Sequence, residues 1–171
     1  MLDSGRPFLV SHHENLTKHY GEFYEEINHL VMALHDHLGI RRGDVVGIWS
    51  GNVYDWIVIQ YACLRLGAIL CTANPFYKSF ELDYAIRKGE MKALFMPGKQ
   101  SRQDFVNNYS KIIHETLHNK SENEELPLHL KNIISIDGER YGENDFPSDL
   151  QIKTFELNKL KQYNKELDRS I

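Results

Sequence analysis

Hydrophobic residues along this chain alternate between short unbroken runs and longer stretches with helical spacing. Four unbroken runs predict strands that are buried on both faces: residues 45–49, 68–72, 92–96 and 132–137. Residues 53–66 have the length of a helix and are apolar almost all round, which predicts burial on more than one face. A longer helix is predicted over residues 21–38, where apolar side chains recur at helical spacing: Phe23, Ile27, Leu30, Leu34 and Leu38.

Several residues mark where the predicted helices begin and end. Gly39 and Gly67 suit the ends of the first two helices, because glycine adopts the left-handed conformation at no steric cost. Asn52 is predicted to cap the second helix, Ser79 the third and Ser101 the fourth, since short polar side chains accept hydrogen bonds from the first free amides of a helix. The boundaries of the four helices are therefore predicted from local signals alone.

The pattern is weaker towards the two ends of the chain. Residues 8–12 and 16–19 flank a short polar turn and predict a small N-terminal hairpin. Residues 120–125 are polar and predict a solvated loop. Residues 152–157 favour one more strand or a connector, and the highly charged residues 159–171 favour a frayed helix.

The order of these elements predicts the fold class. Strands that alternate with helices indicate an α/β protein with a parallel sheet, right-handed crossovers and helices on both faces, here preceded by the small hairpin. Phe80 and Tyr84 are predicted to lie on the apolar, core-facing side of the third helix. The fourth helix is predicted to present one apolar side formed by Phe105, Tyr109, Ile112 and Ile113.

Composition supports one domain with a substantial core, because the 171 residues are 42% hydrophobic and 11% aromatic. The net charge of −4 without a basic cluster gives no indication of nucleic-acid binding. The N-terminus shows no targeting segment and the chain has no 18-residue apolar run, so we expect no membrane span and, from these features alone, a cytoplasmic protein. Cys63 and Cys71 lie in apolar stretches and are predicted to be buried thiols in a reducing compartment.

Two turns follow predicted strands at places where a ligand can bind. Gly47 and Gly51 precede a helix whose amides could bind phosphate, but the pattern lacks the third glycine of the dinucleotide fingerprint and the lysine of a P-loop. Asn74 and Pro75 also follow a strand, where open parallel sheets bind ligands. A structural turn is the favoured interpretation of both.

Other residues with chemical potential give no catalytic pattern. The histidines at 12–13 and 35–37 lack companion ligands at metal-binding spacing. Neither cysteine has an obvious neighbouring base, and the acid pairs at 25–26 and 124–125 are most simply solvated charges. We therefore assign no catalytic, cofactor-binding or metal-binding residue in this chain.

Seven short segments occur in a fixed order and spacing between residues 20 and 95. They are Tyr20-Gly21-Glu22-Phe23, residues 38–48, Asn52 with Trp56, Leu66-Gly67-Ala68, Asn74-Pro75-Phe76-Tyr77, Glu81-Leu82-Asp83-Tyr84 and Lys92-Ala93-Leu94-Phe95. Each is made of common structural residues, but their order is specific. Together they resemble the N-terminal region of the adenylate-forming acyl-CoA synthetases, and most nearly the medium-chain fatty acyl-CoA synthetase branch, which is often mitochondrial.

The resemblance implies a two-step ligation in a complete enzyme. ATP and a fatty acid would give an acyl-adenylate and pyrophosphate, coenzyme A would then give the thioester and AMP, and Mg²⁺ would offset phosphate charge. The phosphate loop, the adenine and ribose motifs and the catalytic lysine of that family do not occur in residues 1–171. We therefore expect residues 1–157 to be a partial N-terminal scaffold, residues 158–171 a charged tail or truncated connector, and the chain to be inactive alone.

Two alternatives remain open from the sequence. The first is a non-catalytic interaction module or degenerate paralogue on the same scaffold, which would self-associate because truncation leaves apolar surface and an open sheet edge. The second is a small flavodoxin-like nucleotide binder, which has the right layer order but lacks a phosphate cradle.

Overall fold

The structure is a computed structural model that describes residues 5–119, 123 and 125–162. Its elements in chain order are β1 (Pro7–Ser11), β2 (Leu16–His19), α1 (Tyr20–Asp36), β3 (Val45–Trp49), α2 (Tyr54–Leu66), β4 (Ile69–Ala73), α3 (Ser79–Lys88), β5 (Met91–Met96), α4 (Arg102–Asn107), α5 (Tyr109–His118), β6 (Asn132–Ser135), β7 (Lys153–Glu156) and α6 (Leu157–Leu160). Two short 3-10 turns, Glu143–Asp145 and Ser148–Leu150, connect β6 to β7. Most of the loop predicted at 120–125 and the last nine residues of the predicted C-terminal helix lie outside the described residues.

The main sheet has five parallel strands in the order β4-β3-β5-β6-β7. The hairpin β1-β2 is antiparallel and forms a sheet of its own. These observations confirm the predicted α/β fold, the N-terminal hairpin and the last strand, which pairs in parallel with β6. The chain order of the five strands in space is 2-1-3-4-5, so the direction of winding reverses between β3 and β5.

Side chains of the central strands alternate between two hydrophobic cores. Ala93 and Phe95 of β5 point towards the core shared with α1, α2 and α6. Leu94 and Met96 point towards the core shared with α3 and α5. Helices therefore cover both faces of the three central strands β3, β5 and β6, as their continuous apolar runs predict. The same prediction was wrong for residues 68–72, because β4 lies at the edge of the sheet and its Ile69 is 55% exposed.

The fourth predicted helix is two helices, because the chain breaks at Asn108. Asn108 adopts a left-handed conformation with φ of 56°, and its backbone N–H donates to the carbonyl of Asp104. The Asp104 carboxylate then accepts a 2.6 Å hydrogen bond from the amide of Ser110 at the start of α5. As a result Phe105 is 89% exposed, and its prediction as part of the apolar side was wrong, whereas Tyr109 is buried as expected.

The predicted helix caps had mixed outcomes. Ser101 caps α4 as predicted, since its hydroxyl accepts from the amide of Asp104 at 3.0 Å. The prediction of Ser79 as the cap of α3 was wrong by one residue, because Ser79 is the first residue of the helix and the cap position is Lys78. The amide of Lys78 donates to the Glu81 carboxylate at 3.0 Å. A carboxylate on the first turn satisfies the same free amides that a serine cap would.

Phe80 and Tyr84 on α3 do not face the core, contrary to the prediction. Their side chains are 57% and 48% exposed, respectively. The core-facing positions of α3 are Leu82 and Ile86, which contact the core shared with α5. The two aromatic residues are one turn apart and share the outer face of the helix.

Candidate functional site

The carboxyl ends of β3 and β5 are the place where an open parallel sheet of this order binds ligands. The loop after β3 contains Ser50, Gly51 and Asn52, and the loop after β5 contains Pro97 and Gly98. Whether this edge can bind a ligand therefore depends on which polar groups of these two loops are free.

The N-terminus of α2 is occupied by a carboxylate of the protein itself. The amide of Tyr54 donates to both carboxylate oxygens of Glu14, at 3.1 and 3.0 Å. Asn52 makes no side-chain cap, so its prediction as the cap was wrong, and the residue before α2 is Val53. Glu14 comes from the turn of the hairpin, which is why no local signal identified it.

The loop after β3 is closed by a second internal contact. The amide of Gly51 donates to the side-chain oxygen of Gln103 at 2.8 Å. Gln103 lies on α4, so this helix covers the switch point of the sheet. Because Glu14 and Gln103 already take these amides, the turn does not fit a nucleotide phosphate, and the structural interpretation of the two glycines is supported.

Asn74 and Pro75 form a turn that is held from inside the protein. The indole N–H of Trp49 donates to the carbonyl of Asn74 at 3.0 Å, and the Asn74 side-chain oxygen accepts from the amide of Phe76 at 3.0 Å. These bonds explain the Asn-Pro pair as a structural turn. Phe76 itself is 73% exposed at the rim of the sheet.

A buried polar group that the sequence did not indicate lies beside the same edge. Burial raises the pKa of the Asp137 carboxyl above its ordinary value, although hydrogen bonds from the Gly98 backbone and the Ser101 side chain oppose this shift. Among the described residues, one Asp137 carboxylate oxygen and the Ser135 hydroxyl are buried without a hydrogen-bond partner. Asp137 lies two residues after the end of β6, so only its position near the strand end could have marked it beforehand.

The candidate residues with metal or nucleophile chemistry remain scattered. His13 contacts Ser11 and the Asn52 carbonyl, whereas His35 contacts Asp36. Within residues 5–119, 123 and 125–162, no group of three or more His, Cys, Asp or Glu residues is arranged to hold a metal ion.

Both cysteines are free thiols with little tendency to ionise. Burial raises the pKa of Cys63 to about 12 and also raises the pKa of Cys71, which is partly exposed. A thiol must ionise to act as a nucleophile, so neither residue is suited to that role. The prediction of a buried thiol is confirmed for Cys63 and only partly for Cys71.

The acid pair Glu25–Glu26 is not simply solvated, contrary to the prediction. Glu26 forms ion pairs with Lys18 and Lys161, and its side chain is only 19% exposed. Lys161 also pairs with Asp55 on α2 at 2.6 Å. These contacts attach the end of the described chain to α1 and α2.

An apolar groove of about 770 Å³ lies between the outer faces of α1 and α2. Its lining residues are Tyr20, Gly21, Phe23, Tyr24, Ile27, Tyr61, Leu64 and Arg65. Tyr61 is 46% and Leu64 63% exposed, so the predicted burial of α2 on more than one face does not hold for this side. The outer face of α5 is polar by contrast, with Lys111, His114 and His118 exposed.

Solved structures with the same fold include several acid ligases, among them CoA ligases. The anthranilate CoA ligase AuaEII, determined with anthranoyl-AMP, superposes with a TM-score of 0.66 at 19% identity over 94% of this chain and 25% of its own. Coronafacic acid ligase from Pectobacterium brasiliense gives 0.67 at 19% identity over 94% of this chain and 27% of its own. The fold is thus that of the N-terminal part of an adenylate-forming enzyme.

Comparison of amino-acid sequences supports the same assignment at higher identity. The model of the AMP-binding enzyme family matches residues 3–162, and the chain belongs to this family. It is 32% identical to the mitochondrial medium-chain acyl-CoA ligase ACSF2 of Rattus norvegicus over 135 residues, which are 77% of this chain and 22% of that protein. The Bos taurus protein of the same name is 36% identical over 107 residues, or 63% of this chain and 17% of its own length. The chain spans about a fifth of these relatives.

No helix within the described ranges is both long and apolar enough to cross a membrane.

Proposed function

We propose that this chain is the N-terminal scaffold of an ATP-dependent fatty acid–CoA ligase and is inactive by itself. The parent enzyme would activate a medium-chain fatty acid with ATP and Mg²⁺ and transfer it to coenzyme A, in the mitochondrion. The family match over residues 3–162 and the similarity to medium-chain acyl-CoA ligases support this proposal.

One structural observation supports the inactivity of the chain alone. The amides of Tyr54 and Gly51, which a phosphate would need at the strand–helix turn, are bonded to Glu14 and Gln103. The catalytic, cofactor-binding and metal-binding residues of the ligase reaction would then come from later parts of the parent. On the same view residues 1–157 are scaffold and residues 158–171 lead to those parts.

Two measurements test this proposal. The purified chain, given octanoate, ATP, Mg²⁺ and CoA, should release no pyrophosphate above the level without enzyme, while a full-length medium-chain ligase in the same assay turns over. Sequencing of the transcript beyond the codon for Ile171 should reveal a frame that continues into a Ser/Thr/Gly-rich loop ending in lysine. Acyl-adenylate formation by the 171 residues alone would refute the inactivity.

A second candidate function is a non-catalytic interaction module that self-associates. The apolar groove between α1 and α2 favours it, because exposed apolar patches mark interaction sites. In this case Leu64→Glu at the groove should shift the chain to a monomer in sedimentation equilibrium, whereas Lys111→Glu on the polar face of α5 should not. If the wild-type chain is monomeric at roughly 100 µM, the dissociation constant for self-association is weaker than that concentration. This result would exclude the function.

A further inference from the structure

Two histidines on the outer face of α5 lie one helical turn apart. His114 and His118 are both exposed, and their rings stack with centroids 3.8 Å apart and planes inclined by 12°. Residues four apart on a helix share one face, so the backbone itself holds the two imidazoles together. The pattern along the chain did not mark these two histidines, because three residues separate them.

The hydrogen bond of His118 determines which ring nitrogen is free. Its Nδ1 lies 3.0 Å from the backbone carbonyl oxygen of His114. A carbonyl only accepts, so Nδ1 carries the proton and Nε2 of the neutral ring carries the lone pair. Metal-binding histidines are commonly held in this way, with the second ring nitrogen donating to a backbone carbonyl.

The i, i+4 positions of the two histidines on α5 allow their side chains to reach one shared ion. Two nitrogen ligands at about 2.0–2.1 Å from a tetrahedral ion are roughly 3.3 Å apart. The ring centroids are 3.8 Å apart and the ring planes are inclined by only 12°, so the in-plane lone pairs of the two Nε2 atoms do not converge in the stacked arrangement. Binding one ion therefore requires both side chains to turn about χ1 and χ2 until their Nε2 atoms point at the same position. Both rings are at the surface, where such a rotation meets little resistance.

We propose that His114 and His118 form a binding site for a divalent transition-metal ion of the Cu²⁺, Ni²⁺ or Zn²⁺ class, with water at the other positions. Two imidazoles without a carboxylate favour these ions over Mg²⁺ and Ca²⁺, which prefer oxygen ligands. The described residues hold no group of three or more ligands, so this is a two-ligand, exchangeable site. It lies on α5 and does not depend on the proposed ligase function.

Binding would link the last two turns of α5. Because the ligand spacing exists only while the helix is formed, the ion binds the folded chain and raises its thermal midpoint. The order of affinity should be Cu²⁺ above Ni²⁺ and Zn²⁺, following the general order for imidazole sites. Mg²⁺ should have no effect on the midpoint.

The test uses the full 171-residue chain without a histidine tag, in a buffer that does not bind metals, at pH 7.5. Titration calorimetry with NiCl₂ should show one site that His114→Gln and His118→Gln each weaken at least tenfold. The matched control His35→Gln removes an exposed histidine from another helix and should leave this site unchanged. Equal Ni²⁺ affinity in wild type and in the His114/His118 double variant would overturn the proposal.

A second measurement on the unmodified protein removes any dependence on how the variants fold. In NMR spectra, substoichiometric Cu²⁺ should broaden the imidazole signals of His114 and His118 before those of His35. Broadening that begins elsewhere, or at all histidines equally, would contradict the assigned site.

Discussion

Substitution of Lys161 should destabilise the fold much more than substitution of a neighbouring lysine. The Lys161 amino group lies 2.6 Å from the Asp55 carboxylate and 3.3 Å from that of Glu26, and its side chain is only 14% exposed. It also lies over the ring of Tyr54, 6.0 Å from the centroid. Lys161 therefore joins the end of α6 to both helices of one face.

Lys161→Met keeps the length of the side chain but leaves Asp55 and Glu26 without this cation. Loss of one partner from a fully buried ion pair costs about 3–5 kcal/mol. We expect a smaller cost of about 2–3 kcal/mol here, because the Lys161 side chain is partly exposed and because Glu26 keeps its ion pair with Lys18. For a chain of this size the midpoint should fall by about 4–12 °C.

The stability that Lys161→Met loses relative to wild type should also depend on pH, because the substitution changes the surroundings of the Asp55 carboxyl. Burial raises the pKa of this carboxyl, and Lys161 is the main group that opposes the shift. Removal of the lysine raises the folded-state pKa further, and a carboxyl with a raised pKa loses stability as pH rises through that value. The deficit of Lys161→Met should therefore be larger at pH 8 than at pH 4.5.

Urea unfolding followed by circular dichroism measures this free-energy difference, with Lys159→Met as the matched control. Lys159 lies two residues away, pairs with Glu156 at 3.0 Å and is 75% exposed. Its substitution should change the free energy of unfolding by less than about 0.5 kcal/mol. Equal effects of the two substitutions, or a Lys161→Met deficit that does not grow with pH, would refute the reasoning.

Three further predictions concern the carboxyl edge of the sheet. Asp137→Asn should raise the thermal midpoint at pH 8, with a gain that shrinks as pH falls, because burial raises the pKa of this carboxyl and its charged form is disfavoured; a constant gain would contradict this. Gly98→Ala should cost about 3 kcal/mol in urea unfolding, because the added Cβ would lie 2.3 Å from the Asp137 carbonyl oxygen and 2.4 Å from that of Glu139. Glu14→Ala should cost about 1 kcal/mol through loss of the acceptor for the Tyr54 amide, and it should not create phosphate-dependent stabilisation if α2 is purely structural.

The four core strands and their parallel arrangement could be predicted because their causes are local. An unbroken apolar run such as Val45–Trp49 cannot lie at a surface, and a run of that length bounded by polar turns forms a strand covered on both faces. The Ser101 cap was predictable for a similar reason, since its hydroxyl and the amide it accepts from are three residues apart.

Other features could not be predicted because the groups that decide them are distant in the chain. Tyr54 receives its cap from Glu14, forty residues earlier, and the choice of Glu14 over Asn52 depends on how the hairpin packs against α2. The exposure of Phe80 and Tyr84 likewise depends on which side of α3 meets α5. A periodic pattern shows that a helix has an apolar side but not what covers it.

The sequence by itself determined the family, the layer order and the positions of the strands, because each follows from residues close together or from their order along the chain. Only the tertiary structure decided the strand order, the closing of the switch point by Gln103 and the attachment of Lys161 to α1 and α2. It also showed that His114 and His118 stack, since their ring geometry depends on side-chain rotation that no sequence pattern encodes. Hydrogen bonds and ion pairs act over a few ångströms in space, and folding rather than chain position determines which groups come that close.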